Sequence, residues 1–148
     1  MELKAHFSQI HKVIIDHLVQ AQYEIVAAIA WFTDRDIFDV LCTKAREGVN
    51  VSIALIGDKI NQGPGALNFH RLTNLGGRVI FLPPGSRDEP VMHHKFCVID
   101  ANTVITGSYN WSQKARSNDE NITVVSDASE FAAKFLVTFD SILDRACH

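Results

Sequence analysis

The sequence has no apolar run long enough to cross a bilayer. Its longest run, from Ile25 to Phe32, falls far short of the about 20 residues that a membrane-spanning helix needs. The segment that begins at Met1 also lacks the basic and apolar regions of a secretory signal peptide. We therefore expect a cytoplasmic protein without stable membrane insertion.

Cysteine is scarce, and the three copies show no pairing pattern. Cys42, Cys97 and Cys147 are odd in number, have no C-x-x-C spacing and have no histidines at zinc-finger spacing. This usage is typical of reduced thiols in a cytosolic protein rather than of a disulfide framework. The carboxylates are not clustered either, so the sequence predicts no metal and no other cofactor.

An excess of positive charge is also missing. The formal net charge is -3, which excludes a strongly basic nucleic-acid-binding protein but leaves room for a local basic site. Hydrophobic residues make up 47% and charged residues 21% of the chain, as in ordinary globular domains. A chain of 148 residues can bury a sizeable core, so we expect a single domain over residues 1–148.

Local patterns predict an α/β protein. Apolar residues recur at helical spacing from Leu3 to Leu18 and predict an amphipathic helix over residues 3–21. The other predicted elements, in chain order, are a strand at 24–32, a helix that starts at an N-cap at 33 or 34 and ends at 48, a strand at 49–56, a loop at 58–65, a short helix at 67–75, strands at 78–82, 95–99, 103–106 and 121–125, and a final helix from 127 onward. Helices and strands alternate early and strands cluster later, which predicts one mixed β-sheet flanked by helices on both faces.

Most of the functional information lies in residues 92–121. The pattern is H-x-K-x4-D, then G-S-x-N, then a downstream acid, and it comprises His93, Lys95, Asp100, Gly107, Ser108, Asn110 and Glu120. A neutral imidazole can attack phosphorus and form a covalent intermediate. Lysine, asparagine and serine donors beside it can stabilise the phosphoryl oxygens. The pattern therefore predicts a site for phosphodiester hydrolysis that needs no metal.

Strand alternation distinguishes the two adjacent histidines. Successive side chains of an extended segment point to opposite faces, so His93 and Lys95 share a surface that His94 does not share. The same parity places Asp100 away from the phosphate, where we expect a structural hydrogen-bonding or ion-pairing role. Cys97 is on the His93 face but is expected to be a small buried residue.

These motifs resemble the phospholipase D superfamily, in its small form with one motif copy. The resemblance is most specific from Met92 to Asn121 and implies a mixed sheet flanked by helices. It implies that His93 is the nucleophile and that Lys95 and Asn110 bind phosphate.

The resemblance also implies that a downstream acid orients the nucleophilic histidine. Glu120 fits this role by accepting a hydrogen bond from the far ring nitrogen of His93, with Ser108 as a further donor to the phosphate. The loop after Asn110 varies in length among relatives, so Asp119 is the alternative acid.

The single copy of the motif predicts that two chains together form one active site. In-line displacement needs a nucleophile on one side of phosphorus and a proton donor on the other, and one histidine does not do both in one step. The sequence contains no second H-x-K. We therefore expect a homodimer in which each chain supplies one His93 to a shared site, as the resemblance to single-motif relatives also implies.

Three functions fit these motifs. An endonuclease that cleaves DNA or RNA is favoured, with Trp111, Lys114 and Arg116 as candidate substrate-binding residues beside Tyr109, and Arg71, Arg78 and Arg87 as a further basic surface. Trp31 and Trp111 both fit a place in the core, and Trp111, directly after Asn110, alternatively fits the site entrance. A phospholipase acting on a lipid such as cardiolipin is the alternative, but it would need an exposed membrane-binding segment. A catalytically silent scaffold is disfavoured because the motif is intact.

Overall fold

The structure is a computed structural model that describes residues 1–146, so Cys147 lies outside the described residues. The helices and strands are β1 (Glu2–His6), α1 (Ile10–Val19), β2 (Glu24–Ile29), α2 (Arg35–Arg46), β3 (Asn50–Ile56), α3 (Lys59–Gln62), α4 (His70–Thr73), β4 (Arg78–Leu82), β5 (Lys95–Ile99), β6 (Thr103–Gly107), β7 (Ile122–Ser126) and α5 (Ser129–Ala146). Over this range the strands form one seven-stranded sheet in the order β1-β7-β6-β5-β2-β3-β4.

The sheet is mixed, as predicted. Strands β2, β3 and β4 are parallel, whereas β5 is antiparallel to β2 and the neighbouring pairs out to β1 are antiparallel. Helices α1 and α2 pack on one face over a large apolar core, and α5 packs on the other face over a smaller one. The expectation of helices on both faces of a mixed sheet is confirmed.

The prediction of one helix over residues 3–21 is wrong at its N-terminal end. Residues Glu2–His6 form strand β1, which pairs antiparallel with β7, and α1 begins only at Ile10. Leu3 and Phe7 fit helical spacing but are 64% and 74% exposed. Pairing with β7, more than 100 positions away in the chain, satisfies the backbone of β1, and a local pattern contains no signal for it.

The segment predicted as the loop 58–65 contains a short helix. Asp58 caps α3 by accepting hydrogen bonds from the backbone amides of Ile60 and Asn61. The Asn61 side chain is buried and bonds to the carbonyl oxygens of Ala30 and Ile56. The segment therefore joins the ends of β2 and β3.

Asp100 is the first of the three residues that connect β5 and β6. Asp100 and Ala101 both have positive φ, at 54° and 52°, and the amide of Asn102 donates to the carbonyl of Ile99, so the connection is a tight turn. The Asp100 carboxylate accepts hydrogen bonds from the backbone amides of Gln22, Tyr23 and Glu24. It thus attaches the β5–β6 hairpin to the start of β2.

Asp100→Asn is expected to destabilise the protein by about 1–2 kcal/mol at neutral pH, because the new amide keeps the turn but loses charge-assisted bonds. Burial opposes the Asp100 charge, but the three backbone donors outweigh it and hold the pKa of Asp100 below its ordinary value. A depressed pKa means that the stabilisation is present above the unfolded-state pKa and is lost as pH falls through the folded-state pKa. Denaturant unfolding at several pH values should show the difference between wild type and variant shrinking in acid. A difference that is constant with pH would contradict this role.

Candidate active site

The topology brings four strand ends to one edge of the sheet. Because β5, β6 and β7 are antiparallel in succession, the start of β5, the end of β6 and the start of β7 lie at the same edge. The end of β2 lies there too, since Ile29 pairs with Lys95. These four strand ends carry the predicted residues together with Trp31, and we call this region the site edge.

His93 and Lys95 are in direct contact at the site edge. The Lys95 Nζ lies 2.8 Å from Nδ1 and 3.1 Å from Nε2 of His93 and donates to the His93 carbonyl oxygen at 3.0 Å. Burial lowers the pKa of the Lys95 ammonium, and the nearby Glu120 carboxylate partly offsets this effect. His93 is exposed, so a substrate phosphate can approach the ring from solvent.

His94 faces the opposite side of the sheet. Its ring packs edge-on against Phe96, which in turn contacts Phe135 of α5. Burial lowers the pKa of His94, and Arg145, Lys95 and His93 lower it further. The structure therefore separates the two histidines as strand parity predicts.

Ser108 and Glu120 are joined across the ends of β6 and β7. The Ser108 hydroxyl donates to Glu120 Oε1 at 2.5 Å and accepts from the Asn121 amide at 3.1 Å. The second Glu120 oxygen accepts from the Asn118 side chain. Among the described residues Glu120 accepts from Ser108 and Asn118, and the hydrogen bond from His93 to Glu120 stays a prediction. Asp119, the alternative acid, is exposed.

Gly107 is required by the close approach of β6 and β7. A Cβ at this position would overlap the carbonyl oxygen of Asn121 and lie 2.8 Å from Cα of Ile122. The lack of a side chain lets Ser108 and Asn121 meet.

Asn110 joins the site through Trp31, a residue that sequence analysis assigned to the core. The Asn110 Oδ1 accepts from the backbone amide of Trp31 at 3.2 Å. The Trp31 ring is half-buried and makes an edge contact with the His93 ring, with centroids 5.6 Å apart. The signal that could have found Trp31 is its position just after a buried strand that pairs with β5.

Two of the three candidate substrate-binding residues are used inside the protein. Trp111 is 2% exposed and packs against Phe32, so the expectation that it binds substrate is wrong. Arg116 is also not available, because its guanidinium forms two 2.8 Å hydrogen bonds with the fully buried carboxylate of Asp34. Lys114 is exposed on the 3₁₀ turn Lys114–Ser117 and keeps its ammonium at the surface.

The three further arginines have different surroundings. Arg71 is paired with Asp39 of α2 at 2.9 Å. Arg78 begins the edge strand β4, and Arg87 lies in the exposed segment between β4 and β5.

The two cysteines among the described residues are both buried. Cys97 is 1% exposed, and burial raises the pKa of its thiol, as expected for a small buried residue. Cys42 is also buried and free.

Within residues 1–146, no group of three or more His, Cys, Asp or Glu side chains could hold a metal ion. Over the same range, no helix has both the length and the apolar character to cross a membrane.

Tyr109 has a buried hydroxyl that lacks a hydrogen-bond partner among the described residues. The side chain is 3% exposed, and burial, together with the charge of Asp34, raises the pKa of Tyr109 to about 12. An unpaired buried hydroxyl costs about 1–3 kcal/mol. Tyr109→Phe is therefore expected to leave stability unchanged or to raise it, as measured by thermal unfolding. A clear fall in the melting temperature would indicate an ordered water bound to the hydroxyl.

Comparison with known families gives one match along most of the chain. The family model described as "Cardiolipin synthase, PLD-like domain" matches residues 14–143. A mitochondrial cardiolipin hydrolase from Chlamydomonas reinhardtii is 30% identical over 131 residues, which are 88% of this chain and 56% of that protein. The Mus musculus mitochondrial cardiolipin hydrolase is 40% identical over 60 residues, which are 40% of this chain and 27% of that protein. The chain thus spans about half the length of the first of these relatives, and the match to the second covers a smaller part of that protein.

Solved structures agree in fold. Nuc from Salmonella typhimurium, a phospholipase D family member, superposes with a TM-score of 0.85 at 24% identity and covers 97% of this chain and 95% of that one. NucT from Helicobacter pylori superposes with a TM-score of 0.84 at 22% identity and covers 97% and 96%. At these identities the likeness shows the fold, and the chemistry must be argued from the residues at the site edge.

Proposed function

Because this chain belongs to the phospholipase D-like family, we propose that it is a metal-independent phosphodiesterase, and specifically an endonuclease that cleaves DNA or RNA. The observation that carries the proposal is the contact of His93 with Lys95 at an exposed sheet edge that also holds Ser108 and Asn110. A nucleophile, a cation and neutral donors meet there.

The proposed reaction has two displacements. His93 attacks phosphorus, one ester oxygen leaves with a proton from a general acid, and a phosphohistidine forms. Water then attacks the phosphohistidine, gives its proton to the deprotonated general acid and restores the imidazole. Lys95 moves from the His93 ring to the phosphoryl oxygens as substrate enters, and Asn110 donates to the same oxygens through its amide nitrogen. Ser108 joins them when its hydroxyl proton turns from Glu120 to the phosphate.

The proposed general acid is His93 of a second chain. Three exposed apolar side chains flank the site edge, which supports a homodimer there. Phe7 follows β1 and is 74% exposed, Ile60 on α3 is 50% exposed, and Val91 before β5 is 40% exposed. Covering them against a second copy would remove apolar surface from water and would bring two His93 side chains together.

Lipid diesters are the second candidate substrate. The curated relatives named above are cardiolipin hydrolases, and the same three apolar side chains could contact a lipid surface. The nucleic-acid proposal is favoured because His93 is exposed and because Lys114 is an exposed cation on the turn that follows Asn110. A polymer backbone can lie along such an exposed edge.

The deciding experiment presents every substrate class to one protein preparation. Wild type and His93→Ala are incubated in EDTA at low salt with single- and double-stranded DNA and RNA, and separately with cardiolipin-containing vesicles. We expect nucleic acid to be cleaved by wild type alone. Cleavage of lipid only would favour the phospholipase, and no cleavage of any diester would favour the catalytically silent scaffold.

The shared site is tested by co-expressing wild type with His93→Ala. If each site needs two His93 side chains, a heterodimer is inactive and activity per wild-type chain falls as the variant fraction rises. Activity that stays proportional to the amount of wild-type chain would contradict the composite site. Light scattering on each mixture measures the oligomeric state independently.

A further inference from the structure

The backbone on both sides of Trp31 is held by a buried side chain. The peptide groups on both sides of it bond to Asn61, whose Nδ2 donates to the Ala30 carbonyl at 2.8 Å and whose Oδ1 accepts from the Phe32 amide at 2.9 Å. Asn61 is 1% exposed, so water does not compete for these bonds. The backbone of Trp31 is therefore fixed by a side chain from α3.

The indole ring is fixed as well. Its Nε1 donates to Asp58 Oδ2 at 2.8 Å, a short bond to a charged acceptor. Asp58 caps α3 and Asn61 lies within it, so one short segment holds both the backbone and the ring of Trp31. The ring in turn lies edge-on to His93 at 5.6 Å and an interplanar angle of 83°.

We propose that Trp31 is a positioning residue for His93 and that Asp58 acts through it. This inference rests on the proposed function, because it concerns how the nucleophile is held for attack. His93 is exposed and lies just before β5, so strand hydrogen bonds do not fix its ring. The fixed indole ring of Trp31 limits the orientations of the His93 imidazole and keeps it near the geometry for in-line attack.

The two oxygens of Asp58 have separate roles, which makes a sharp test possible. Oδ1 caps α3 by accepting from Ile60 and Asn61, whereas Oδ2 accepts from the Trp31 indole. In Asp58→Asn the amide oxygen can keep the cap, while the amide nitrogen then faces the indole donor. This variant removes the Trp31 contact and preserves the helix.

The test is a double-mutant cycle of Trp31→Phe and Asp58→Asn. kcat and KM are measured on bis(p-nitrophenyl) phosphate, a small diester that touches little beyond the reacting centre. Each single variant is expected to lower kcat about tenfold with KM nearly unchanged, which corresponds to about 1.4 kcal/mol in the barrier. The double variant is expected to be no slower than either single variant, because Asp58 has no effect once the indole is gone.

Tyr23→Phe is the matched control. Tyr23 is 71% exposed at the opposite end of β2, so its change should leave kcat and the melting temperature unchanged. Losses that multiply in the double variant would overturn the proposal, as would a fall in melting temperature without a fall in kcat.

Nuclear magnetic resonance provides a readout that does not need turnover. The indole Nε1–H signal of Trp31, assigned with Trp31→Phe, is expected to shift when His93→Ala is made in wild type and to shift much less when the same change is made in Asp58→Asn. If wild type cleaves no diester, the proposed function fails, and this signal still decides whether Asp58 couples Trp31 to His93. An indole signal that His93→Ala leaves unchanged in wild type would overturn the inference.

Discussion

Replacing His93 with alanine is expected to lower diester cleavage by about 10⁴-fold or more, because removal of a covalent nucleophile eliminates the first displacement. The neighbouring variant His94→Ala is expected to retain most activity. His94 lies on the other face of the sheet against Phe96, and only its backbone carbonyl, which accepts from the Ala30 amide, supports the site edge. The rates are compared at equal concentrations of folded protein.

The two histidine variants form a matched pair. Each removes one imidazole from adjacent positions of the same segment, so unfolding alone would affect both. Quenching wild type in alkali during turnover should also trap an acid-labile phosphate on the chain, which His93→Ala should not show. Equal losses in the two variants would mean that strand parity does not select the nucleophile.

Arg116→Ala is expected to destabilise the protein by about 3–5 kcal/mol, because it leaves a buried carboxylate without its partner. The side chain of Asp34 is fully buried, and both of its oxygens accept from the Arg116 guanidinium. Asp34 also caps α2 through the amides of Asp36 and Ile37, so its charge is held in place when the arginine is removed. Urea unfolding of wild type and variant measures the loss.

Lys114→Ala is the control on the same turn. Lys114 is exposed, so stability should change by no more than about 0.5 kcal/mol. If Lys114 contacts phosphate, the slope of log affinity for nucleic acid against log salt should become shallower by about one. The reverse result, with weak binding and normal stability in Arg116→Ala, would restore the role in substrate binding that sequence analysis gave to Arg116.

Trp31, Trp111 and Arg116 show that a local sequence pattern does not determine which residues are buried or which residues they contact. All three are plausible site residues by type and position. Trp111 is adjacent to Asn110 in sequence but is buried, and Trp31 contacts Asn110 across 79 positions. Arg116 meets its buried partner Asp34 across 82 positions. Whether such a residue is buried, and which residue it bonds to, depends on contacts between distant parts of the chain. A short stretch of sequence does not contain both members of such a contact.

What the sequence alone determined is the chemistry and its local order. Residues at alternating positions of one strand have fixed relative directions, so His93 and Lys95 had to share a surface and Asp100 had to lie at a turn. Gly107 and Ser108 are likewise placed by their position at the end of β6, since the hairpin that starts at Asp100 sets the register.

What only the tertiary structure decided is which distant segments surround that chemistry. Three features arise where separate segments of the chain meet. They are the pairing of β1 with β7, the hydrogen bond between Ser108 and Glu120, and the hydrogen bonds by which Asp58 and Asn61 hold Trp31. Their energies come from non-local hydrogen bonds and burial, so they exist only once the strand order is set. Local propensity acts within a few residues, and the strand order is fixed by the packing of the whole chain.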